Sequence, residues 1–261
     1  MNIRKSSKEF WDQNWKFAGN GLKPAHKKNL FWKRLDSIFD SIFFDLKTKN
    51  LRLIEIGAGA SEWLPKLNNR YSFSVSGLDY SEEGCDRARH ILLDAGIDGH
   101  IYYGDMYSPP KELLGTYDVV CSFGLVEHFS DTSEAVNACA KFLKPGGIIV
   151  TLIPNMKGLN GLFYKMLSKK IFDTHVPLSL NQLTKAHTDA GLKVYFGSYL
   201  MGLPNLIDGD RFEPVRIKRY IRTGAYFITR LIWWLEEKGI GVPANPMTSP
   251  YLICAAKVAR F

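Results

Sequence analysis

The sequence predicts an α/β protein built on a doubly wound, mostly parallel seven-stranded sheet. Seven short apolar runs of β type recur from residue 51 onward, and segments with helical periodicity separate the first five. Strands that alternate with helices form parallel sheets covered by helices on both faces. A long helical segment separates the last two runs, "LKVYFGSYL" and "YLICAAKVA". These two runs therefore predict an antiparallel pair at one edge of the sheet.

The segment before the first strand predicts a helical N-terminal cap. In "LFWKRLDSIFDSIFFDL" the apolar residues Leu35, Ile38, Phe39, Ile42 and Phe43 recur at helical spacing. We see no internal repeat or low-complexity linker, so we predict a single domain over residues 1–261. Its predicted parts are a cap (1–50), a binding core (51–153), a lid or substrate loop (154–180) and a helical insert between the last two strands (204–247).

Composition places the chain among ordinary globular proteins with a basic surface. Of 261 residues, 46% are hydrophobic and 23% charged, enough for one sizeable core. There are 34 Lys and Arg against 26 Asp and Glu, a net charge of +8. A solvated basic surface is the default interpretation. An anionic small substrate, a nucleic acid or a membrane surface are the alternatives.

Cysteine spacing and the apolar runs predict a cytoplasmic protein. Cys85, Cys121, Cys139 and Cys254 lie far apart without a CxxC pair, which is typical of reduced thiols. The start of the chain lacks the apolar stretch of a signal peptide. The longest apolar run, "AYFITRLIWWL", contains Arg230 and is much shorter than the ~20 residues of a membrane helix. We therefore expect no transmembrane segment.

A loop of small residues, "LIEIGAGASEWL" (53–64), follows the first predicted strand. Gly57 and Gly59 match the first two glycines of the dinucleotide fingerprint G-x-G-x-x-G. Glu62 stands where the third glycine belongs, and its carboxylate would face a pyrophosphate. This argues against NAD or FAD, while the small side chains still allow a ligand to approach the backbone.

Acidic residues end the next two predicted strands. Asp79 lies about 20 residues beyond the glycines, where an acid accepts ribose hydroxyls. Asp105 follows the third strand, where it could accept an adenine amino group. Because ligands of doubly wound sheets bind beyond the carboxyl ends of the strands, these positions predict a nucleoside site that needs no phosphate contact.

These motifs, followed in order by "YDVVCSFGLVEHF" and "FLKPGGIIV", resemble those of class I S-adenosylmethionine (SAM)-dependent methyltransferases of the small-molecule type. The resemblance covers residues 51–153, with Ser61 in place of a common third glycine. It implies a Rossmann-like fold and SAM as cofactor. The cofactor-binding residues that it implies are Glu55, Gly57, Ala58, Gly59, Asp79, Tyr80, Asp105, Met106, Ser122 and Phe123.

The resemblance further implies methyl transfer to an O, N, S or C nucleophile of a small-molecule acceptor by in-line displacement. Positioning alone can lower such a barrier by roughly 7–11 kcal/mol, and a base contributes only when the nucleophile is protonated. Candidate catalytic residues are His128 after the fourth strand, Asn155 after the fifth, and His175 in "FDTHVPLS". Each has a structural alternative: packing near the cofactor for His128, a turn for Asn155, and a loop anchor for His175.

Aromatic residues of the cap are further candidates for the cofactor site. Trp11 and Trp15 lie four residues apart, so they share one face of a helix. An aromatic helix of this kind commonly closes over SAM in small-molecule methyltransferases, and aromatic faces attract a sulfonium. The alternative is that both rings only attach the cap to the core.

The helical insert carries one apolar stripe, formed by Ile217, Tyr220, Gly224, Phe227, Leu231 and Trp234. Packing against the core is the default interpretation. A homodimer surface, the wall of an acceptor pocket, or interfacial membrane binding through the basic first half are the alternatives.

Other functions remain open at this point. A SAM cyclase would join the amine of the SAM side chain to its γ-carbon, form an azetidine ring and release methylthioadenosine. A nucleic-acid methyltransferase fits the net charge, but the N/D-P-P-Y/F motif of base-amine enzymes is replaced here by "SFGLVEHF". We therefore expect a small-molecule acceptor rather than a nucleic acid. A binding protein without turnover is the last alternative. The histidines show no zinc-ligand spacing, so we expect no metal site.

Overall fold

The computed structural model describes residues 4–17, 30–44, 46, 50–203, 224, 227, 228, 230–232, 234, 235 and 238–259. Seven strands form one sheet in the order β3-β2-β1-β4-β5-β7-β6. The strands are β1 (Arg52–Ile56), β2 (Ser74–Asp79), β3 (His100–Tyr103), β4 (Tyr117–Phe123), β5 (Leu143–Pro154), β6 (Lys193–Leu200) and β7 (Tyr251–Lys257).

The first five strands are parallel to one another, and β7 is antiparallel to both β5 and β6. The predicted fold class is thus confirmed, with the antiparallel strand lying second from the edge. Chain order reverses where β1 meets β4, since β2 and β3 extend to one side and β5 to the other. Ligands of doubly wound sheets bind at such a switch point, so the loops after β1 and β4 are the candidate site.

Helices cover both faces of the sheet. They are α1 (Lys8–Phe17), α2 (Leu30–Phe43), α3 (Trp63–Tyr71), α4 (Glu82–Asp94), α5 (Thr132–Ala140), α6 (Leu159–Leu167), α7 (Lys169–Asp173) and α8 (Leu180–Asp189), with short 3₁₀ turns at Lys111–Leu113 and Val126–His128.

Two hydrophobic clusters lie on opposite faces of the sheet and form the core. One contains α2, where four of the five apolar residues expected from its periodicity are buried and Ile38 is partly buried against them. The other packs α5 and α8 against the opposite face, around Tyr117 and Phe142. The side chains of each strand alternate between these faces, so a strand buried on both sides reads as a nearly continuous apolar run.

All four cysteines are buried free thiols in the structure. Burial raises the pKa of Cys85, Cys139 and Cys254 to about 12 and raises that of Cys121 as well. Such thiols are poor nucleophiles, so they pack as small apolar side chains. A cytoplasmic location stays a prediction.

The described part of the insert leaves apolar residues at the surface. Phe227, Leu231 and Trp234 are each more than half exposed, which is contrary to the default expectation that their stripe packs against the core. Ile217 and Tyr220 of the same stripe lie outside the described residues. In the parts of the chain that the structure describes, every helix is too short or too polar to cross a bilayer. The division into cap, core, lid and insert stays a prediction.

Candidate active site

The loop after β1 is fastened to the end of β2. The backbone N–H groups of Gly57 and Ala58 donate to the carbonyl of Leu78 at 2.8 and 3.2 Å. Gly57 has a φ of +80°, a conformation that L side chains rarely adopt. A Cβ at Gly59 would lie 3.0 Å from Asp79 Oδ2. Both glycines are therefore required where they stand, and they leave the backbone of the loop open to a ligand.

Asp79 connects this loop to the start of α4. Its carboxylate accepts hydrogen bonds from the backbone N–H of Gly59 and of Ser81, both at 2.7 Å. Burial raises the pKa of Asp79 to about 6, while those two backbone bonds act in the opposite direction. The group is thus an anion at neutral pH. A carboxylate has about four acceptor positions, so it retains capacity for the hydroxyls of a ribose.

Glu55 lies beneath the loop and is almost completely buried. Burial raises the pKa of Glu55 to about 8, although a hydrogen bond from the Ser61 hydroxyl favours the charged form. Ser61 also accepts from the backbone N–H of Trp63 at 3.1 Å, in the first turn of α3. Glu55 and Ser61 hold the conformation of the loop by hydrogen bonds beneath it. Glu55 would therefore contribute to the predicted site by supporting the loop.

The ends of β2 and β3 meet around an arginine from the N-terminus. Arg4 forms an ion pair with Asp105, and its guanidinium lies 4.5 Å from the ring centroid of Tyr80. Asp105 also accepts from the backbone N–H of Tyr107 at 3.0 Å. The structure therefore brings the predicted adenine-contacting residues together, with Arg4 beside them.

Trp11 and Trp15 reach the site from α1. Their rings stack with centroids 5.7 Å apart. A Cβ added at Gly59 would lie 2.7 Å from Trp15 Nε1, so the Trp15 ring lies directly on the glycine loop. Trp11 contacts His128 edge-to-face at 5.1 Å. Both tryptophans thus contact predicted site residues.

A pair of buried histidines continues the site beyond Trp11. The ring centroids of His128 and His175 are 4.4 Å apart. His128 Nδ1 donates to the carbonyl of Thr174 at 2.7 Å, and His175 Nδ1 to that of Ile171 at 2.7 Å. A carbonyl only accepts, so the neutral rings carry their protons on Nδ1. Each Nε2 then has a lone pair that can accept a proton.

Glu127 lies close to these histidines. In the described part of the chain, Glu127, His128 and His175 form a group whose possible metal-ligating atoms all lie within 4.8 Å of one another. No ligand spacing in the sequence indicates this group, because the two histidines lie 47 positions apart along the chain. The expectation of no metal site stays a prediction.

Asn155 does not face these groups. Its amide donates to the carbonyls of Pro246 and Ser249, both at 2.8 Å, and its carbonyl accepts from the backbone N–H of Gly158 at 3.1 Å. Asn155 therefore joins the end of β5 to the segment that leads into β7. This geometry favours its turn alternative over contact with an acceptor.

Three further predicted cofactor residues have buried side chains in the core. Met106 and Ser122 are buried, and Phe123 lies 4.9 Å from the ring centroid of Trp63. Their part in cofactor binding stays a prediction. Ala58, which belongs to the glycine loop, is also buried.

Sequence reasoning missed Arg4 and Ser81. Arg4 meets Asp105, its partner, across 101 positions, and no local pattern indicates such a pair. Ser81 could have been found, because Ser-x-x-Gly before a helical run is compatible with an N-cap, and its hydroxyl does accept from the N–H of Gly84.

Comparison with known sequences gives a consistent picture. A family profile described as "Methyltransferase domain" matches residues 26–195. The ubiquinone biosynthesis O-methyltransferase of Colwellia psychrerythraea is 30% identical over 94% of this chain and 92% of its own length. That of Shewanella pealeana is 29% identical over 56% of this chain and 58% of its own length. The chain thus spans about three fifths of the length of several curated relatives that it matches.

Comparison with solved structures supports the same fold. Geranyl diphosphate C-methyltransferase from Streptomyces coelicolor, solved with Mg²⁺, geranyl diphosphate and S-adenosylhomocysteine, superposes with a TM-score of 0.60. The two chains are 15% identical, and the match covers 96% of this chain and 97% of that one.

Proposed function

The chain belongs to the class I SAM-dependent methyltransferase family, and we propose from this premise that it transfers a methyl group from SAM to an oxygen nucleophile of a small molecule. The observation that carries the proposal is the continuous row of contacts from the glycine loop through Trp15 and Trp11 to the His128 and His175 pair. This row of contacts connects the glycine loop, which fits a nucleoside, with the histidine pair, which can accept a proton.

The residues after β1, β2 and β3 fit SAM. The loop at Gly57 and Gly59 offers a bare backbone, Asp79 an acceptor for two hydroxyls, and Asp105 an acceptor for an amino group. Tyr80 provides an aromatic face beside Asp105. When bound, SAM supplies an electrophilic methyl group on a sulfonium. The residues of the chain bind SAM, orient its methyl group and exclude water from the site.

We assign proton acceptance to His128. Its Nδ1–H is held by the Thr174 carbonyl, so the ring is oriented and Nε2 is the basic atom. An acceptor hydroxyl within hydrogen-bond distance of Nε2 would lose its proton as the new bond forms. His175 lies against His128 and positions it or the acceptor.

An oxygen acceptor is proposed because the named relatives are O-methyltransferases. Ubiquinone biosynthesis is the context of those proteins. For this chain we propose only a small hydroxylated acceptor, without a nucleic acid. A homodimer through the exposed apolar residues of the insert and a cytoplasmic location complete the proposal.

The test is product analysis with purified protein. Incubation with SAM and a panel of hydroxylated aromatic and aliphatic compounds should yield S-adenosylhomocysteine and a product heavier by one methylene, measured by mass spectrometry. Methylthioadenosine from SAM alone would identify a cyclase instead. Methyl groups recovered on tRNA or DNA would identify a nucleic-acid enzyme, and SAM binding without any product would contradict the proposal.

A further inference from the structure

We propose that Ser6 is a positioning residue whose single hydroxyl links the adenosyl end of the site to the acceptor end. This hydroxyl holds the Trp11 ring beside His128, the proposed base. It also holds Tyr80, which follows β2 and is the proposed flank of the adenine. The inference rests on the proposed function, because that function gives Tyr80 and His128 these parts. Ser6 acts through both side chains rather than on SAM or the acceptor.

The hydroxyl of Ser6 lies inside the protein although Ser6 stands near the start of the chain. The residue is 7% exposed. Trp11 Nε1 donates to Ser6 Oγ at 2.8 Å. An indole has one N–H, so this bond fixes the rotation of the Trp11 ring, which stacking on Trp15 alone would leave free to turn in its own plane. The orientation of Trp11 therefore depends on Ser6.

The orientation of Trp11 matters because its ring meets His128 edge-to-face. The two ring planes are 79° apart and their centroids 5.1 Å apart, a geometry that is lost when either ring turns. His128 Nδ1 is held from another direction by the Thr174 carbonyl. Lys5, the neighbour of Ser6, donates its backbone N–H to the His128 carbonyl at 2.8 Å. The segment around Ser6 thus fixes both the backbone and the ring surroundings of His128.

The same hydroxyl reaches the adenosyl end of the site through Tyr80. Burial raises the pKa of Tyr80 to about 12, while a hydrogen bond with Ser6 acts in the opposite direction. A serine hydroxyl has one donor and two acceptor positions, so Ser6 can accept from Trp11 and donate to Tyr80 at the same time. One buried hydroxyl therefore joins a proposed adenine contact to a ring contact of the proposed base.

The neighbouring Ser7 offers a matched comparison. Its hydroxyl accepts from the backbone N–H of Phe10 at 3.2 Å, as an N-cap residue of α1 does. Ser7 is exposed, and its hydroxyl faces the backbone of the helix. Replacing Ser7 should weaken the start of α1, whereas replacing Ser6 should disturb the site. The two serines therefore separate helix stability from positioning.

The test compares Ser6→Ala with Ser7→Ala in the full chain. We expect Ser6→Ala to raise the Kd for S-adenosylhomocysteine by about 3–10-fold and to lower kcat at saturating SAM by about 3–10-fold, because one hydrogen bond is lost at each end. Calorimetry and steady-state kinetics measure these values, with the compound that is methylated best as acceptor. Ser7→Ala should keep both values although its melting temperature falls.

Three further measurements show that the hydroxyl acts through Trp11. Ser6→Thr keeps the hydroxyl and should restore both values. Trp11→Phe keeps a ring without its N–H, so adding Ser6→Ala to it should lower kcat no further, yet should still raise the Kd through Tyr80. In NMR spectra of protein with ¹³C-labelled histidine, the His128 ring signal, assigned with His128→Asn, should move in Ser6→Ala and stay in place in Ser7→Ala.

Several outcomes would overturn the inference. They are unchanged values and an unchanged His128 signal in Ser6→Ala, a change in Kd alone, equal losses in Ser7→Ala, and no recovery in Ser6→Thr. Should Ser6→Ala unfold, Ser6→Cys replaces it with the same expectations, since a thiol is a weak donor and acceptor. All of these leave the unsubstituted protein active. The proposed function instead fails in the unsubstituted protein, which would bind no S-adenosylhomocysteine or form no methylated product, and the inference would fall with it.

Discussion

The nucleoside end and the acceptor end of the site are built in different ways. At the nucleoside end, backbone groups only a few residues from each strand end hold the acids, as Ser81 and Gly59 hold Asp79. At the acceptor end, His128 depends on Thr174, which lies 46 residues further along the chain. The nucleoside end needs residues at a particular spacing along the chain, and that spacing is visible as a sequence motif. The acceptor end needs only that two distant loops meet in the fold, so different acceptor sites can form without any change at the nucleoside end.

The largest effect should come from the acceptor end. His128→Asn keeps an amide donor for the Thr174 carbonyl but removes the basic Nε2, so we expect kcat to fall by about 10²–10⁴-fold while the Kd for S-adenosylhomocysteine stays unchanged. Steady-state kinetics and calorimetry measure the two quantities. His175→Asn is the matched variant. An equal loss in both would show that the pair acts as a unit, and full activity of His128→Asn would refute its role as base.

At the nucleoside end, Gly59→Val should strongly weaken binding without unfolding the chain. A Cβ there would lie 3.0 Å from Asp79 Oδ2, and a branched side chain would cover the backbone that the ligand approaches. We expect the Kd for S-adenosylhomocysteine to rise at least about 10²-fold, because the ligand would lose its contacts with Asp79 and with the backbone of the loop. Circular dichroism checks folding, and Gly224→Ala is the control, because no atom of the described residues lies within 4 Å of a Cβ added there. Retained binding in a folded variant would move the cofactor away from this loop.

Beneath the same loop, Glu55 should make stability depend on pH. Its pKa of about 8 in the folded chain exceeds the ordinary 4.5, so folding favours the neutral form. Its contribution to the unfolding free energy is complete below about pH 4.5 and is lost as pH rises toward 8. Glu55→Gln should remove this dependence and raise stability at pH 8 by roughly 4 kcal/mol. Urea unfolding at pH 5 and 8 measures it, and parallel pH profiles in both proteins would contradict the buried acid.

The smallest effect should be the titration of Asp79. With a pKa raised by burial to about 6, the Asp79 carboxylate, which we propose to accept ribose hydroxyls, persists above pH 6 and is lost as pH falls through that value. The affinity for S-adenosylhomocysteine should therefore fall by about tenfold between pH 7 and pH 5. Calorimetry across this range measures it. Asp79→Asn should bind weakly at every pH, and a profile like that of the unsubstituted protein would assign the titration elsewhere.

These contrasts explain what could be predicted from the sequence. The sheet follows from apolar runs alternating with helical segments, and the predicted nucleoside end of the site follows from Gly57, Gly59 and Asp79 at family spacing. The role of Asn155 could not be decided, because its partners Pro246 and Ser249 lie more than 90 residues away. The meeting of Arg4 with Asp105 had no signal either. Contacts between distant loops depend on the whole fold, whereas a motif depends on one turn.

The position of β7 bears on how the protein is made. This strand, Tyr251–Lys257, follows the other six described strands along the chain yet lies between β5 and β6, and Leu252 to Ala256 are all buried. While the ribosome is still adding the preceding residues, the facing edge of β5 has no partner and β6 has no neighbour in the order of described strands. An unpaired strand edge is prone to aggregation. Nascent chains that stop short of β7 should therefore depend on chaperones, because the sheet closes only after β7 has been synthesised.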